Sequence, residues 1–484
     1  MLFNSSIFVL LFLPLTLAGY FLCNRIDRRW AGIWLLIMSL WFYGYNNPRY
    51  LLLIGGSVCA NYLLCLLLRG KGSPKRRKLL LFLGVAFNVA LIFAFKYLDF
   101  FLENVNALAG TDYPLQHIAL PLGISFFTFQ QISYVVDSYR DPALDYGFLD
   151  YANFVTFFPQ LVAGPIVLHS ELIPQLRNDD NRRPHYDRIA RGVMLFALGL
   201  SKKMFLADKF GAAVDWGFSH TTAASAADVL LVMLAYTFQI YFDFSGYSDM
   251  AVGLASLFGF DLPMNFNSPY KALSITDFWR RWHMTLSRFL RTYVYFPLGG
   301  SSRGKGRTYW NILVFFLFSG LWHGANWTFV LWGFVHGLLQ VGERALGGTL
   351  DRLAKPLRWL GTFFAVNVLW LLFRAESVGQ WAGLLRTLFL GGNWRVSPDL
   401  LAAFRVRGMR YACALLHLPL SDIAVYIIGA VGLFAAAFYI CLTLRNNYVR
   451  EYPATKGNLI LTLGLLLMAV LSMGRVSVFL YFNF

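Results

Sequence analysis

The feature that most constrains this chain is a succession of long apolar runs, of which Leu79 to Phe95 and Leu459 to Val470 are the plainest. Such runs offer no polar face to water and belong in a bilayer or deep inside protein. Stretches long enough to cross about 30 Å of hydrocarbon fall near residues 4–23, 30–45, 50–68, 79–97, 190–206, 228–242, 310–340, 359–373, 423–443 and 459–474. They predict an all-α polytopic membrane protein with about 10–12 transmembrane helices. Composition agrees: the chain is 57% hydrophobic and 14% charged, against about 25% charge in soluble proteins. Secreted and ordinary cytosolic classes are thereby excluded.

The net charge of +17 does not point to nucleic acid, because the basic residues sit in short clusters between apolar runs. Arg25, Arg28 and Arg29 close the first run, and Arg69, Lys71, Lys75, Arg76, Arg77 and Lys78 close the third. The positive-inside rule puts both loops in the cytosol and the amino terminus outside. The segment Leu10 to Ala18 has the length of a signal-peptide core, yet arginines follow it rather than precede it, so an uncleaved first helix is expected. Cys23, Cys59, Cys65, Cys413 and Cys441 show no metal-type spacing and read as reduced, structural thiols.

Pro and Gly interrupt apolar pieces around Pro121-Leu-Gly, Phe157 to Pro165 and Gly253 to Pro263. Irregular backbone at membrane depth is tolerated only where protein buries it or where it lines a wet cavity. These pieces therefore predict re-entrant elements around a central tunnel, with interfacial helices beside them. The polar stretch Arg177 to Arg188 reads as a cytosolic loop and residues 391–422 as an extramembrane or interfacial excursion. No internal repeat or long linker is visible, so residues 1–484 read as one integral membrane domain.

Three polar islands interrupt this pattern. In the first, Trp310 to Gln340, His323 lies deep within an apolar run. On a continuous helix Ser319 and Trp327 would share its face, with Asn326 and Trp322 nearby, and Gly320 and Gly324 would let a slender chain approach the backbone. That suits a general base, a neutral imidazole taking the proton of a hydroxyl as it attacks a thioester; the other reading is a histidine hydrogen-bonded between helices. His336, flanked by Gly333 and Gly337, reads as structural.

The second island runs from Ser274 to Arg291. Ser274 and Asp277 resemble a capping box. As one helix, Ile275, Phe278, Trp279, Trp282, Leu286, Phe289 and Tyr293 form an apolar face opposite Arg280, Arg281, Arg288 and Arg291. His283 falls on the border of that face, where a tunnel mouth could open. Arg280, Arg281 and Arg288 are candidates for the phosphates of an acyl donor, or for anchoring the helix to anionic headgroups.

The third island is Gln239 to Met250. Asp243 and Asp249 are about 240° apart on a helix and form no same-face pair unless Gly246 breaks it. Asp249 or Ser248 could cap a following helix, and Asp243 could pair with a cation or orient a histidine. Nucleophile-elbow, phosphate-loop and zinc-protease motifs are absent from the sequence.

Taken in order, Phe157-Phe-Pro-Gln-Leu-Val-Ala-Gly-Pro-Ile166, Gln239 to Gly253, Asn265-Phe-Asn-Ser-Pro-Tyr270, Phe278-Trp-Arg-Arg-Trp-His283 and Ser319-Gly-Leu-Trp-His-Gly-Ala325 resemble the membrane-bound O-acyltransferase family. The resemblance covers roughly residues 120–340 and is to the bacterial branch that holds polysaccharide O-acetylation proteins, the alginate one among them, and the teichoic-acid D-alanyl transferase. It implies that His323 is the catalytic histidine and His283 the family's second polar position. It further implies acetyl coenzyme A as donor substrate with no bound cofactor or metal, the bacterial inner membrane as location, and an extracytoplasmic polysaccharide as acceptor, reached through an SGNH-type partner. The tail Phe479-Leu-Tyr-Phe-Asn-Phe484 reads on its own as an aromatic interfacial end; it also resembles a carboxy-terminal motif of this branch, which implies Tyr481 as an acyl carrier. D-alanyl transfer is the alternative within the class. A transporter or export subunit is the alternative outside it, since broken helices and midplane polar groups suit a pathway as well.

Overall fold

A computed structural model describes residues 1–70, 72–406, 408–473 and 477–480. Tyr481 and Lys71 lie outside the described residues. Among those described, every element is helical, and six helices are long and apolar enough to cross a membrane: Phe8–Ile26, Arg49–Arg69, Pro74–Ala109, Ala226–Leu257, Lys355–Arg374 and Asp422–Leu442. The chain is a multi-pass membrane protein. The other apolar stretches are helical too, but shorter or interrupted: residues 30–45 form Arg28–Gly44 and residues 459–474 form Lys456–Ser472. Two compact units are formed, Met1–Leu200 with Tyr247–Met264 and Glu451–Phe484, and Ser201–Gly246 with Asn265–Arg450.

In the first unit the apolar helices pack around a helix that hydropathy missed, Ile124–Arg140, because its buried face carries Thr128, Gln130, Gln131 and Ser133. The side chains of Thr128, Gln131 and Ser133 are hydrogen-bonded, as groups buried among apolar helices must be. The Asn61 carboxamide donates to Gln131 (2.9 Å), Gln131 donates to the Ser57 hydroxyl (2.9 Å), and Asn88 donates to Asn61 (2.6 Å). The first two interrupted pieces meet. Gly123, with φ 71°, starts Ile124–Arg140, and a Cβ there would stand 2.5 Å from the Leu161 carbonyl oxygen. Residues 151–167 are buried throughout, so their irregular backbone is covered by protein, as expected.

The basic loops of this unit gather at one end. Arg28 donates to the Arg177 carbonyl (2.8 Å), Arg182 to that of Asn24 (2.9 Å) and Arg77 to that of Tyr139 (2.6 Å), while Arg69 pairs with Asp145 (2.9 Å). Arg177 in turn donates to the Asp145 carbonyl (3.3 Å), so the two basic loops that charge alone assigned to one side of a membrane are linked through it. Phe479, at the start of the aromatic tail, is buried against Tyr247, ring centroids 5.1 Å apart.

In the second unit the run 310–340 is not one span. Lys305–His323 stops at Gly324, which is extended (φ −170°, ψ 158°), and Asn326 caps a new helix, Trp327–Leu350, by accepting from the Thr328 amide at 2.9 Å. The halves fold into a tight hairpin because two glycines face each other: a Cβ on Gly320 would stand 2.3 Å from the Phe329 carbonyl oxygen, and one on Gly333 2.3 Å from that of Phe316. The space expected beside Gly320 for an incoming chain is filled by the hairpin partner, and that beside Gly324 by the Phe329 ring.

Two further expectations are corrected. Ala226–Leu257 is unbroken at Gly246, so Ser248 and Asp249 lie within it and cap nothing. The amphipathic helix read from Ser274 onward ends at Trp279 and resumes at Met284. Its start is as expected, with the Ser274 hydroxyl accepting from the Asp277 amide at 3.0 Å. Among the described residues of 391–421 the helices are short, Pro398–Ala403 and Met409–Leu415, and the first follows Ser397, whose amide (2.8 Å) and hydroxyl (2.7 Å) donate to Asp228.

Candidate active site

The break after Trp279 decides the site. Arg280 to Trp282 turn, and His283 takes a left-handed backbone conformation, φ 43° and ψ 52°, before Met284–Leu290 begins. Non-glycine residues seldom adopt it, and histidine is among those that tolerate it. The turn removes His283 from the border of an apolar face and buries it completely. The segment Asn265 to Asn267 fixes it there: the Asn265 carbonyl accepts from the Met284 amide (3.0 Å), and the Arg281 carbonyl accepts from the Asn267 amide (2.9 Å). Asn265 Oδ1 takes the Thr285 hydroxyl at 2.6 Å and lies 3.4 Å from His283 Nδ1. Sequence reasoning noted the run from Asn265 to Tyr270 without giving Asn265 this role; its one signal was a polar side chain between Met264 and Phe266, two residues after Pro263.

His323, at the last position of Lys305–His323, is also buried, 3% exposed. Its ring centroid lies 6.4 Å from that of His283, and Trp322 contacts both rings, at 5.0 Å from His323 and 5.6 Å from His283. Phe244 stands edge-on to His283 at 4.7 Å, and Trp332 and Phe373 stand edge-on to His323 at 5.3 and 5.0 Å. Two imidazoles thus share an aromatic, water-poor enclosure, in which electrostatic and proton-transfer interactions are strengthened. His336, also fully buried, accepts from the Trp279 indole at 3.2 Å and ties the short helix to the hairpin.

The other sequence candidates separate. Ser319 is buried one turn before His323. Asn326 spends its side chain on the cap and on the Glu376 carbonyl, 3.0 Å away, rather than on the face of His323. Asp243 pairs with a cation, Lys203, at 2.8 Å, and Lys203 also holds Asp208 at 2.8 Å. Lys203 was missed because it ends an apolar run, where a lysine ordinarily marks the interface. Asp249 is buried in the first unit. Of the phosphate candidates, Arg281 pairs with Asp277 at 2.8 Å, Arg288 is half-buried, and Arg280 alone lines the large cavity of this unit.

A helical membrane protein with two histidines enclosed among aromatic rings has the equipment for proton transfer to or from a bound hydroxyl. Comparison with known proteins gives the class of enzyme. Residues 116–375 match the family described as MBOAT, membrane-bound O-acyltransferase family. A peptidoglycan O-acetyltransferase of Helicobacter pylori is 42% identical over 409 residues, covering 78% of each chain. A probable alginate O-acetylase, AlgI, of Pseudomonas aeruginosa is 40% identical over 405 residues, 82% of this chain and 76% of that one. A teichoic acid D-alanyltransferase of Streptococcus thermophilus is 29% identical over 229 residues, 45% of this chain and 55% of that one. The chain belongs to the membrane-bound O-acyltransferase family and is an acyltransferase.

Proposed function

We propose that this protein moves an acetyl group from a cytosolic thioester, acetyl coenzyme A, to the hydroxyls of an extracytoplasmic polysaccharide, working in the bacterial inner membrane. The observation that carries the chemistry is the enclosure of His283 and His323 within 6.4 Å of each other. His323 acts as general base: it takes the proton of the acceptor hydroxyl as that oxygen bonds to the thioester carbonyl carbon. The C–S bond then breaks, and the proton passes from the imidazolium to the leaving thiolate. His283, held through Asn265, keeps the second imidazole neighbouring the first. Acetyl transfer to peptidoglycan or alginate-type polymers is supported by the names of relatives near 40% identity. The D-alanyltransferases match at 26–29% over less of the chain and support that reading less. Tyr481 is the proposed acyl carrier, delivering the group to an SGNH-type extracytoplasmic transferase.

The test is intact-mass and peptide mass spectrometry after incubation with isotopically labelled acetyl coenzyme A, comparing wild type, His323→Ala and Tyr481→Phe. Label on Tyr481 that is lost in both variants is the expected result. Full transfer to an acceptor by His323→Ala would overturn the assignment of the base. Unimpaired transfer by Tyr481→Phe would overturn the relay and leave direct transfer.

A further inference from the structure

We propose that the cavity at the basic end of the first unit is a phospholipid site, in which Arg28 and Arg29 hold the phosphate and Asn24 and Asn153 hold the hydroxyls of a glycerol headgroup, that of phosphatidylglycerol. The cavity measures about 700 Å³, within the range of small-molecule sites. Tyr20 and Asn24, near the end of Phe8–Ile26, line one side, and Gly32 and Leu35, near the start of Arg28–Gly44, line another. It thus opens where a membrane-spanning helix gives way to a basic loop, the level of lipid headgroups. Phe148, among its lining residues, is 43% exposed, and Trp30, beside Arg29 in the chain, is 55% exposed, as suits aromatic rings at a membrane interface. The walls are tied together: besides the bonds of Arg28 and Arg182 to main-chain carbonyls, the Asn153 carboxamide donates to the Gly32 carbonyl at 3.0 Å.

Arg28, Arg29 and Arg182 line this cavity together with Asp27, Asp150 and Asp179. The acids are engaged. Asp150 pairs with Arg177 at 2.7 Å, Asp179 with Arg182 at 3.8 Å, and Asp27 caps Arg28–Gly44 by accepting from the Arg29 amide at 2.7 Å. Arg28 and Arg29 form no ion pair among the described residues, and both are exposed. They are the cations left over for an anion, and guanidinium geometry suits phosphate oxygens. Deeper in, Asn24 is 3% and Asn153 2% exposed, and Asn24 Nδ2 and Asn153 Oδ1 have no hydrogen-bond partner. Buried polar groups are ordinarily bonded, so an unmet donor and an unmet acceptor on one cavity mark the place of a ligand that offers both. A hydroxyl accepts and donates; an ammonium only donates, and no spare carboxylate waits for it. A glycerol headgroup is therefore favoured over an ethanolamine one.

The experiment uses the full chain in phosphatidylcholine nanodiscs and reads retained lipid by native mass spectrometry. The probes are phosphatidylglycerol, phosphatidylethanol, which has the same charge but no headgroup hydroxyl, and soluble sn-glycerol 3-phosphate as competitor. Wild type is expected to retain phosphatidylglycerol several-fold better than phosphatidylethanol. Arg29→Gln should weaken retention of both lipids by about tenfold, the scale of one lost charge-assisted contact, and Arg29→Lys should recover part of the loss. Asn24→Leu should abolish the preference between the two lipids while phosphatidylethanol is held as before. Arg25→Gln, in the same basic cluster but outside the cavity lining, should bind as wild type. Displacement of phosphatidylglycerol by glycerol phosphate would overturn the lipid as occupant and assign the cavity to a soluble phosphoester. Equal losses in Arg25→Gln and Arg29→Gln, or equal retention of the two lipids by wild type, would reduce the binding to a general attraction between basic loops and anionic membranes and overturn the site. Turnover is no part of this readout, so the result stands apart from the acyltransferase reading.

Discussion

The imidazoles of His283 and His323, forty positions apart in sequence, lie with ring centroids 6.4 Å apart and share the indole of Trp322 as a neighbour. One comes from a left-handed turn between two short helices, the other from the last residue of a long helix. Two histidines held in this way should act as a unit. His323→Ala is expected to lower turnover by about 10²–10⁴-fold, the range for a lost general base. Adding His283→Ala should then cost much less than it does alone, because residues that act together are non-additive. Turnover of the two single variants and the double variant checks this; multiplicative losses would show the two rings to be independent.

Asn265 is a positioning residue for His283. Asn265→Ala removes the acceptor of the Thr285 hydroxyl and the neighbour of His283 Nδ1. A buried polar group left unsatisfied costs about 1–3 kcal/mol, so thermal unfolding in detergent should shift downward. If Asn265 orients the imidazole, kcat should fall while the KM for the donor stays put; a loss of stability with kcat unchanged would make Asn265 purely structural.

Lys203 joins Asp208 and Asp243 at 2.8 Å each, and its side chain is 3% exposed. Lys203→Met leaves carboxylates without this buried cation, a change that costs about 3–5 kcal/mol. Pairing it with Asp243→Asn should recover part of that. Unfolding midpoints of the single and double variants measure the coupling, and equal midpoints for Lys203→Met and wild type would remove the ion pair from the list of what holds this unit together.

The Gly320–Gly333 contact sets the distance between the two arms of the hairpin that carries His323. Gly333→Ala puts a methyl 2.3 Å from the Phe316 carbonyl oxygen, so the arms must part, at the roughly 1–3 kcal/mol typical of overpacking. Gly342→Ala, in the same helix with nothing within 4 Å, should be neutral or slightly stabilising. Melting temperatures and turnover of both variants, measured side by side, test whether close approach rather than glycine itself is what the hairpin needs.

The sequence by itself determined the solvent. Apolar runs report a local sum of side-chain transfer energies, and each of the ten stretches is mainly helical where it is described, with residues 310–340 broken at Gly324. It also marked His323 and His283, since polar side chains in apolar surroundings stand out without any knowledge of the fold, and the Pro and Gly of residues 157–165 announced irregular backbone that is indeed buried. Helical periodicity failed where the helix itself stopped. It placed Asn326 and Trp327 on the face of His323 and His283 on the rim of an apolar face, because a period of 3.6 assumes no break at Gly324 or after Trp279. Which partners meet was decided only by tertiary structure. Arg281 was neutralised one turn away by Asp277, whereas Arg344 and Arg291 came to the cavity beside Arg280 from two other helical segments. Hydropathy is a property of each residue, but proximity of charges and rings depends on which helices pack and at what register.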